Sequence, residues 1–167
     1  MSSARRTRAQ RLAEAALTRI RAVAADWPAD GQSRPSAGSS AGSSAGSSAG
    51  FSRAQYKARA DQFPVLVMQA GLAQALGFLR AKAGDAGGGD NAYRRYLNDL
   101  AAVVGASDGE ALQQQAIAAP LPAYRQLTRQ VLDAAGWLKR FGQAYLGASA
   151  DAAGNGAPTA QEAPWTP

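Results

Sequence analysis

Four cations near the C-terminal end, Arg125, Arg129, Lys139 and Arg140, have a spacing that can hold a polyanion. On a helical wheel at about 100° per residue they share roughly a third of the circumference. Guanidinium and ammonium groups set out this way follow phosphates along a strand without reading bases. An ordinary solvated helix face carries the same residues, so the stripe alone leaves both readings open. Asp133 interrupts it one turn from Arg129, where an ion pair can form. Leu132 also lies among the cations, and an exposed Leu there would suit contact with another subunit. Further basic pairs are Arg53/Lys57, Arg80/Lys82 and Arg94/Arg95. Arg80 and Lys82 fall in the last turn of their helix, where dipole compensation explains them equally well. The candidate nucleic-acid-contacting set is therefore Lys57, Arg80, Lys82, Arg125, Arg129, Lys139 and Arg140. Tyr93, Tyr96, Tyr124 and Tyr145 have rings that can stack on bases, but their places on apolar faces favour core packing.

Other chemistry is poorly supplied. The 167-residue chain has no His and no Cys, which removes the commonest general base, the thiolate nucleophile, the disulfide and the usual zinc ligands. The 12 acidic residues are scattered, and no cofactor or metal site is expected. Gly87-Gly88-Gly89-Asp90 precedes a helix, but no Lys-Ser or Lys-Thr follows, so it reads as a turn and not as a phosphate-binding loop. Lys and Arg number 18, giving a net charge of +6, which favours nucleic acid first and an anionic membrane second. The lack of Cys suits a reducing cytoplasm. No apolar export segment follows the basic start, because Arg11, Glu14, Arg19 and Arg21 interrupt it. The uncharged run from Gln62 to Leu79 is short for a bilayer span and contains Pro and Gly, so it reads as a buried helix.

The elements that must position the cations follow from periodicity. Leu12, Ala16, Ile20, Val23 and Trp27 mark residues 1–27 as an N-terminal helix, with Arg8, Arg11 and Arg21 on its other faces. Residues 28–51 are a Ser/Ala/Gly linker, of which 28–50 can bury no apolar surface, expected to be a flexible coil that lets the first helix dock on its own bundle or on a neighbour. Residues 52–146 hold a helical bundle. Ser52 and Gln55 form a capping box for a helix running through Tyr56 to about Ala83, kinked at Pro64, with Val65, Met68, Leu72, Ala75, Leu76 and Leu79 on its core face. Asp90 or Asn91 caps the next helix, whose face is Tyr93, Tyr96, Leu97, Leu100, Val103 and Val104. Ser107-Asp108-Gly109-Glu110 opens a short helix to about Ala119. In the last helix Tyr124, Leu127, Val131, Ala134, Leu138, Phe141 and Tyr145 recur at spacings of three and four and make a narrow apolar seam opposite the cations. Residues 147–167 read as a disordered tail. No strand alternation occurs, so the fold class is all-α: a compact helical bundle of about five helices with a disordered linker and tail.

Two segments resemble a known family. Gln55-Tyr56-Lys57 followed by Phe63-Pro64-Val65-Leu66-Val67-Met68-Gln69-Ala70-Gly71-Leu72-Ala73-Gln74-Ala75-Leu76-Gly77-Phe78-Leu79 is similar to the signature helix of the small subunit of type III-B (Cmr) CRISPR RNA-guided effector complexes. So are Tyr124-Arg125-Gln126-Leu127-Thr128 and Trp137-Leu138-Lys139-Arg140-Phe141, in the same order and separation. The resemblance covers residues 52–146. The first helix fits the family by position only, and the spacer and tail depart from its compact pattern. The resemblance implies a non-catalytic, cytoplasmic, all-helical subunit in antiviral defence. It would stack along the complex beside backbone subunits and further copies of itself and help line the groove for guide RNA and target RNA. Target cleavage would belong to a backbone subunit, and signalling-nucleotide synthesis and DNA cleavage to the large subunit. No membrane or small-molecule partner is implied. The seven candidate cations rest on charge and helical phase, not on the resemblance. A helical adaptor without direct RNA contact is the competing reading.

Overall fold

A computed structural model of the chain describes residues 6–26, 52–84 and 91–147. Among these residues there are six helices and no strand: α1 (Arg8–Asp26), α2 (Arg53–Ala70), α3 (Leu72–Ala83), α4 (Ala92–Val104), α5 (Gly109–Ala118) and α6 (Leu121–Leu146). Trp27, the expected linker 28–51, the triple-Gly turn and all but the first residue of the expected tail lie outside the described residues. No helix among the described residues is long and apolar enough to cross a membrane.

α6 is the longest helix and packs against α1, α2 and α4, while α3 and α5 close the far side of α4. Leu127, Val131, Ala134 and Leu138 are buried, as the seam requires, and Ala135 and Leu146 join them. Tyr145, placed in that seam by spacing, is instead exposed at the helix end. α1 buries Leu12, Ala16, Ile20 and Val23, its expected apolar face, against its own chain's α6 and α4.

The expected single helix from Tyr56 to Ala83 is two. The chain passes through Pro64 within α2 and breaks at Gly71, where φ is +83° and ψ 161°. Only Gly adopts that conformation at low cost. The break loses little hydrogen bonding, since the Gly71 N–H donates to the Val67 carbonyl at 2.9 Å and the Ala75 N–H to the Gly71 carbonyl at 3.0 Å. It also resets the helical phase. Tyr56, Ala60, Phe63 and Val67 turn inward from α2, leaving Val65 at 53% and Met68 at 75% exposure, contrary to the single-helix face. Leu72, Ala75, Leu76 and Leu79 remain buried on α3.

Local capping follows the sequence closely. Ser52 accepts from the Gln55 N–H at 3.2 Å, Asn91 from the Arg94 N–H at 2.9 Å, and Asp108 from the Ala111 N–H at 2.8 Å. In α5 the cap is Asp108 and not Ser107, and the backbone bond from Ala111 holds its carboxyl below the usual range. At Gly109 a Cβ would run into the Leu97 side chain, so Gly lets α5 start against α4 without displacing it.

At the centre sits one buried carboxylate, Asp99 of α4, only 2% exposed. The Tyr56 hydroxyl donates to it at 3.0 Å from α2, and Arg95 Nε at 3.2 Å from one turn earlier. Arg19 of α1 approaches to 4.0 Å, and Arg95 also reaches Asp26 of α1 at 3.1 Å. Arg53 completes the tie by donating to the Ala24 carbonyl. Tyr96 packs edge-on between Tyr56 and Phe63, with ring centroids at 5.6 and 5.5 Å. Its hydroxyl is buried without a hydrogen-bond partner among the described residues.

Two outcomes follow from this arrangement. Tyr56→Phe should lower stability by about 1–2 kcal/mol, because an acceptor on a buried carboxylate is orphaned. Tyr96→Phe should raise it by about 1 kcal/mol, because an unmet desolvation cost is removed. Urea unfolding midpoints check both. Burial pushes the Asp99 carboxyl above its ordinary range, against the opposing pull of Arg95, Tyr56 and Arg19. Its contribution to stability is then complete below the unfolded value of about 3.9 and is lost as pH rises through the higher folded value. The stability difference between the parent and Asp99→Asn should therefore decline with rising pH across that window, as read from urea melts in steps upward from about pH 3.5.

Candidate nucleic-acid interface

The cations divide into two groups by what they touch. Arg94 donates to the Ala83 carbonyl at 3.1 Å and the Gly84 carbonyl at 3.3 Å, closing the C-terminus of α3. Arg95 and Arg19 serve Asp99. Arg59 donates to the Tyr93 hydroxyl at 2.6 Å. Arg6 pairs with Glu14. Two of the seven candidates share this character. Lys57 bonds Asp61 at 3.1 Å, and Asp61 also accepts from Gln143 of α6 at 2.8 Å. Arg80 bonds Glu110 at 3.0 Å and joins α3 to α5. Lys82 is exposed, with its ammonium 6.0 Å from the Phe78 ring centre.

The remaining four lie on α6. Arg125, Arg129 and Arg140 are exposed and Lys139 is half-buried. No carboxylate lies within ion-pair distance of any of them among the described residues, and the pair expected between Arg129 and Asp133 is not formed. Leu132 is half-buried against the core, so it is not the free apolar contact its position in the stripe implies.

α1 adds what the wheel of α6 lacks. Its first residue, Arg8, stands at the junction of two depressions between α1 and α6. The first, about 450 Å³, is lined by Arg8, Leu121, Pro122, Arg125, Gln126 and Arg129. The second, about 440 Å³, has Arg8, Leu12, Leu132, Asp133, Trp137 and Arg140 among its lining residues. Four arginines from two helices thus line two depressions that share Arg8, and together these form the α1/α6 track. Lys57, Arg80, Lys82 and Lys139 line neither depression. Arg8 and Trp137 are not among the sequence candidates. The expectation that Arg8 lies on another face of α1 is not met: it precedes Leu12 by one turn, and that phase continues the face that α1 lays on α6.

Such a molecule falls in the class of small all-α proteins that present a cationic groove between two helices. A family model described as CRISPR-associated protein (Cas_Cmr5) matches residues 44–145. The CRISPR system Cmr subunit Cmr5 of Thermus thermophilus is 45% identical over 94 residues, covering 56% of this chain and 77% of that protein. The crystal structure of a CRISPR-associated Cmr5 family protein, also from Thermus thermophilus, superposes with a TM-score of 0.60 at 36% identity, over 84% of this chain and 98% of that one. The chain belongs to the Cas_Cmr5 family.

The division of cations has a measurable consequence. Arg95→Ala strips a buried carboxylate of its charged partner and should cost about 3 kcal/mol. Arg125→Ala with Arg129→Ala should stay within about 0.5 kcal/mol of the parent, as for exposed sites without partners. Chemical denaturation of the three proteins side by side checks the contrast.

Proposed function

We propose that the chain is the non-catalytic small subunit of a type III-B Cmr effector complex in antiviral defence. In this reading it stacks along the complex beside backbone subunits, the large subunit and further copies of itself. It holds the backbone of guide or target RNA along the α1/α6 track. The observation that carries the reading is the convergence of Arg8, Arg125, Arg129 and Arg140 on adjoining depressions, with no carboxylate bonded to any of them among the described residues. Unpaired guanidinium groups at this density attract phosphates and release counterions on binding. Family membership supplies the assembly, and a chain without His or Cys suits a subunit that binds and does not cut. Arg80 then acts mainly as a tie between α3 and α5 and Lys57 as the partner of Asp61 within α2, while Lys82 and Lys139 are secondary contacts.

A protein adaptor without RNA contact is favoured by one feature, the exposed Val65 and Met68 of α2. Reversal of Arg125, Arg129, Lys139 and Arg140 to Glu separates the two readings. RNA binding lost with assembly intact supports the track; assembly lost with RNA binding of the isolated chain unchanged supports the adaptor. For the parent, three or four phosphate contacts to a single strand should give a log–log salt slope of about −2 to −3. A slope near zero would remove direct RNA contact. The purified chain in Mg²⁺ should leave RNA intact on a denaturing gel.

A further inference from the structure

The second depression has features that a phosphate track does not need. Its lining includes an indole, a carboxylate and a helical glycine. Trp137 stacks on Phe141 with ring centres 5.5 Å apart and planes inclined by 23°, and it also borders the depression. The Arg140 guanidinium lies 5.4 Å from the Trp137 ring centre. Asp133, which would repel a phosphate, sits among these cations without an ion-pair partner among the described residues.

Gly136 is the telling position. It lies in the interior of α6, where Gly is less stable than Ala. A Cβ built there would meet nothing within 4 Å, and no positive φ calls for Gly. Neither close packing nor backbone strain accounts for it. What its missing side chain leaves is open floor in the depression, beside the indole.

We propose that this depression is a nucleobase pocket. One base of a single-stranded nucleic acid enters between α1 and α6 above Gly136 and extends the Phe141–Trp137 stack. Arg8 and Arg140 take the flanking phosphates. Asp133 accepts a hydrogen bond from a ring or amino N–H on the base edge, as carboxylates do from cytosine amino groups. A volume of about 440 Å³ lies within the range of small-ligand pockets, about 300–1,000 Å³. The inference rests on reading the α1/α6 track as a strand-binding surface and adds base stacking to it, which is tolerant of sequence because every base has a π-face.

The test uses the full chain carrying Trp27→Phe and Trp165→Phe, which leaves Trp137 as its single indole. It is titrated with a ten-residue oligoadenylate and with inorganic polyphosphate of matched charge. Oligoadenylate should quench Trp137 emission, and polyphosphate should bind without quenching. In competition assays Trp137→Leu in the parent chain should weaken oligoadenylate about fivefold or more, leaving polyphosphate affinity and the salt slope unchanged. Gly136→Met, which fills the floor, should weaken oligoadenylate similarly while the thermal midpoint stays at or above the parent's. Oligoadenylate binding with unquenched emission, or an equal loss for both probes in Trp137→Leu, overturns the pocket and leaves the phosphate track standing. Quenching on addition of partner subunits without RNA assigns the groove to a protein side chain and overturns it too. No salt-dependent binding of either probe overturns the strand-binding reading and this inference together.

Discussion

A single buried carboxylate organises the bundle. Placing Asp99 in the interior costs several kcal/mol of desolvation, which its partners offset only in part, since its carboxyl stays above the ordinary range. Those partners come from three helices: Tyr56 from α2, Arg95 from α4 itself and Arg19 from α1. Arg95 then reaches on to Asp26, and Arg53 to the Ala24 carbonyl, so the C-terminal half of α1 is tied down at several points. Nonpolar contact alone would let α1 slide along α6, because dispersion and burial are not directional. Directed bonds to a buried charge fix its axial position.

That position determines the surface. With the C-terminal half of α1 fixed on Asp99 and the Leu12, Ala16, Ile20 and Val23 face buried, Arg8 is carried to the outer end of the same helix. It completes a track whose other guanidinium groups come from α6. The polar interior and the cationic exterior are therefore linked through one rigid helix. Cations that serve structure have acceptors; those lining the track have no ion-pair partner among the described residues. The division has an electrostatic reason: an Arg bonded to Asp99 or to the Ala83 carbonyl has less field to offer a phosphate than one facing solvent.

Helix count and phase are legible only in part. The seam of α6 and the face of α1 are readable because a period of 3.6 projects directly onto burial when a helix is unbroken. Pro64 has the look of a disruption, yet the chain turns at Gly71. Both residues are visible, but local sequence does not rank them; in the fold the Ala73 N–H just past Gly71 donates to the Tyr124 hydroxyl of α6 at 3.3 Å, a long-range bond no local pattern displays. The inward placement of Val65 and Met68 fails for the same reason, since a break shifts the phase on one side of it. Lys57 and Asp61 have the i,i+4 spacing of a helical ion pair, so that bond was legible, whereas Arg80 reads as available charge because Glu110 lies thirty residues on, in another helix.

Composition and periodicity by themselves determined an all-α chain, its basic character, its helix caps and the stripe on α6, because each is a local property of neighbouring residues. The tertiary structure decided which cations remain unpaired, that Arg8 joins the stripe from the far end of the chain, and that Trp137 borders a depression floored by Gly136. Those facts depend on α1 and α6, distant in the chain, packing along one surface.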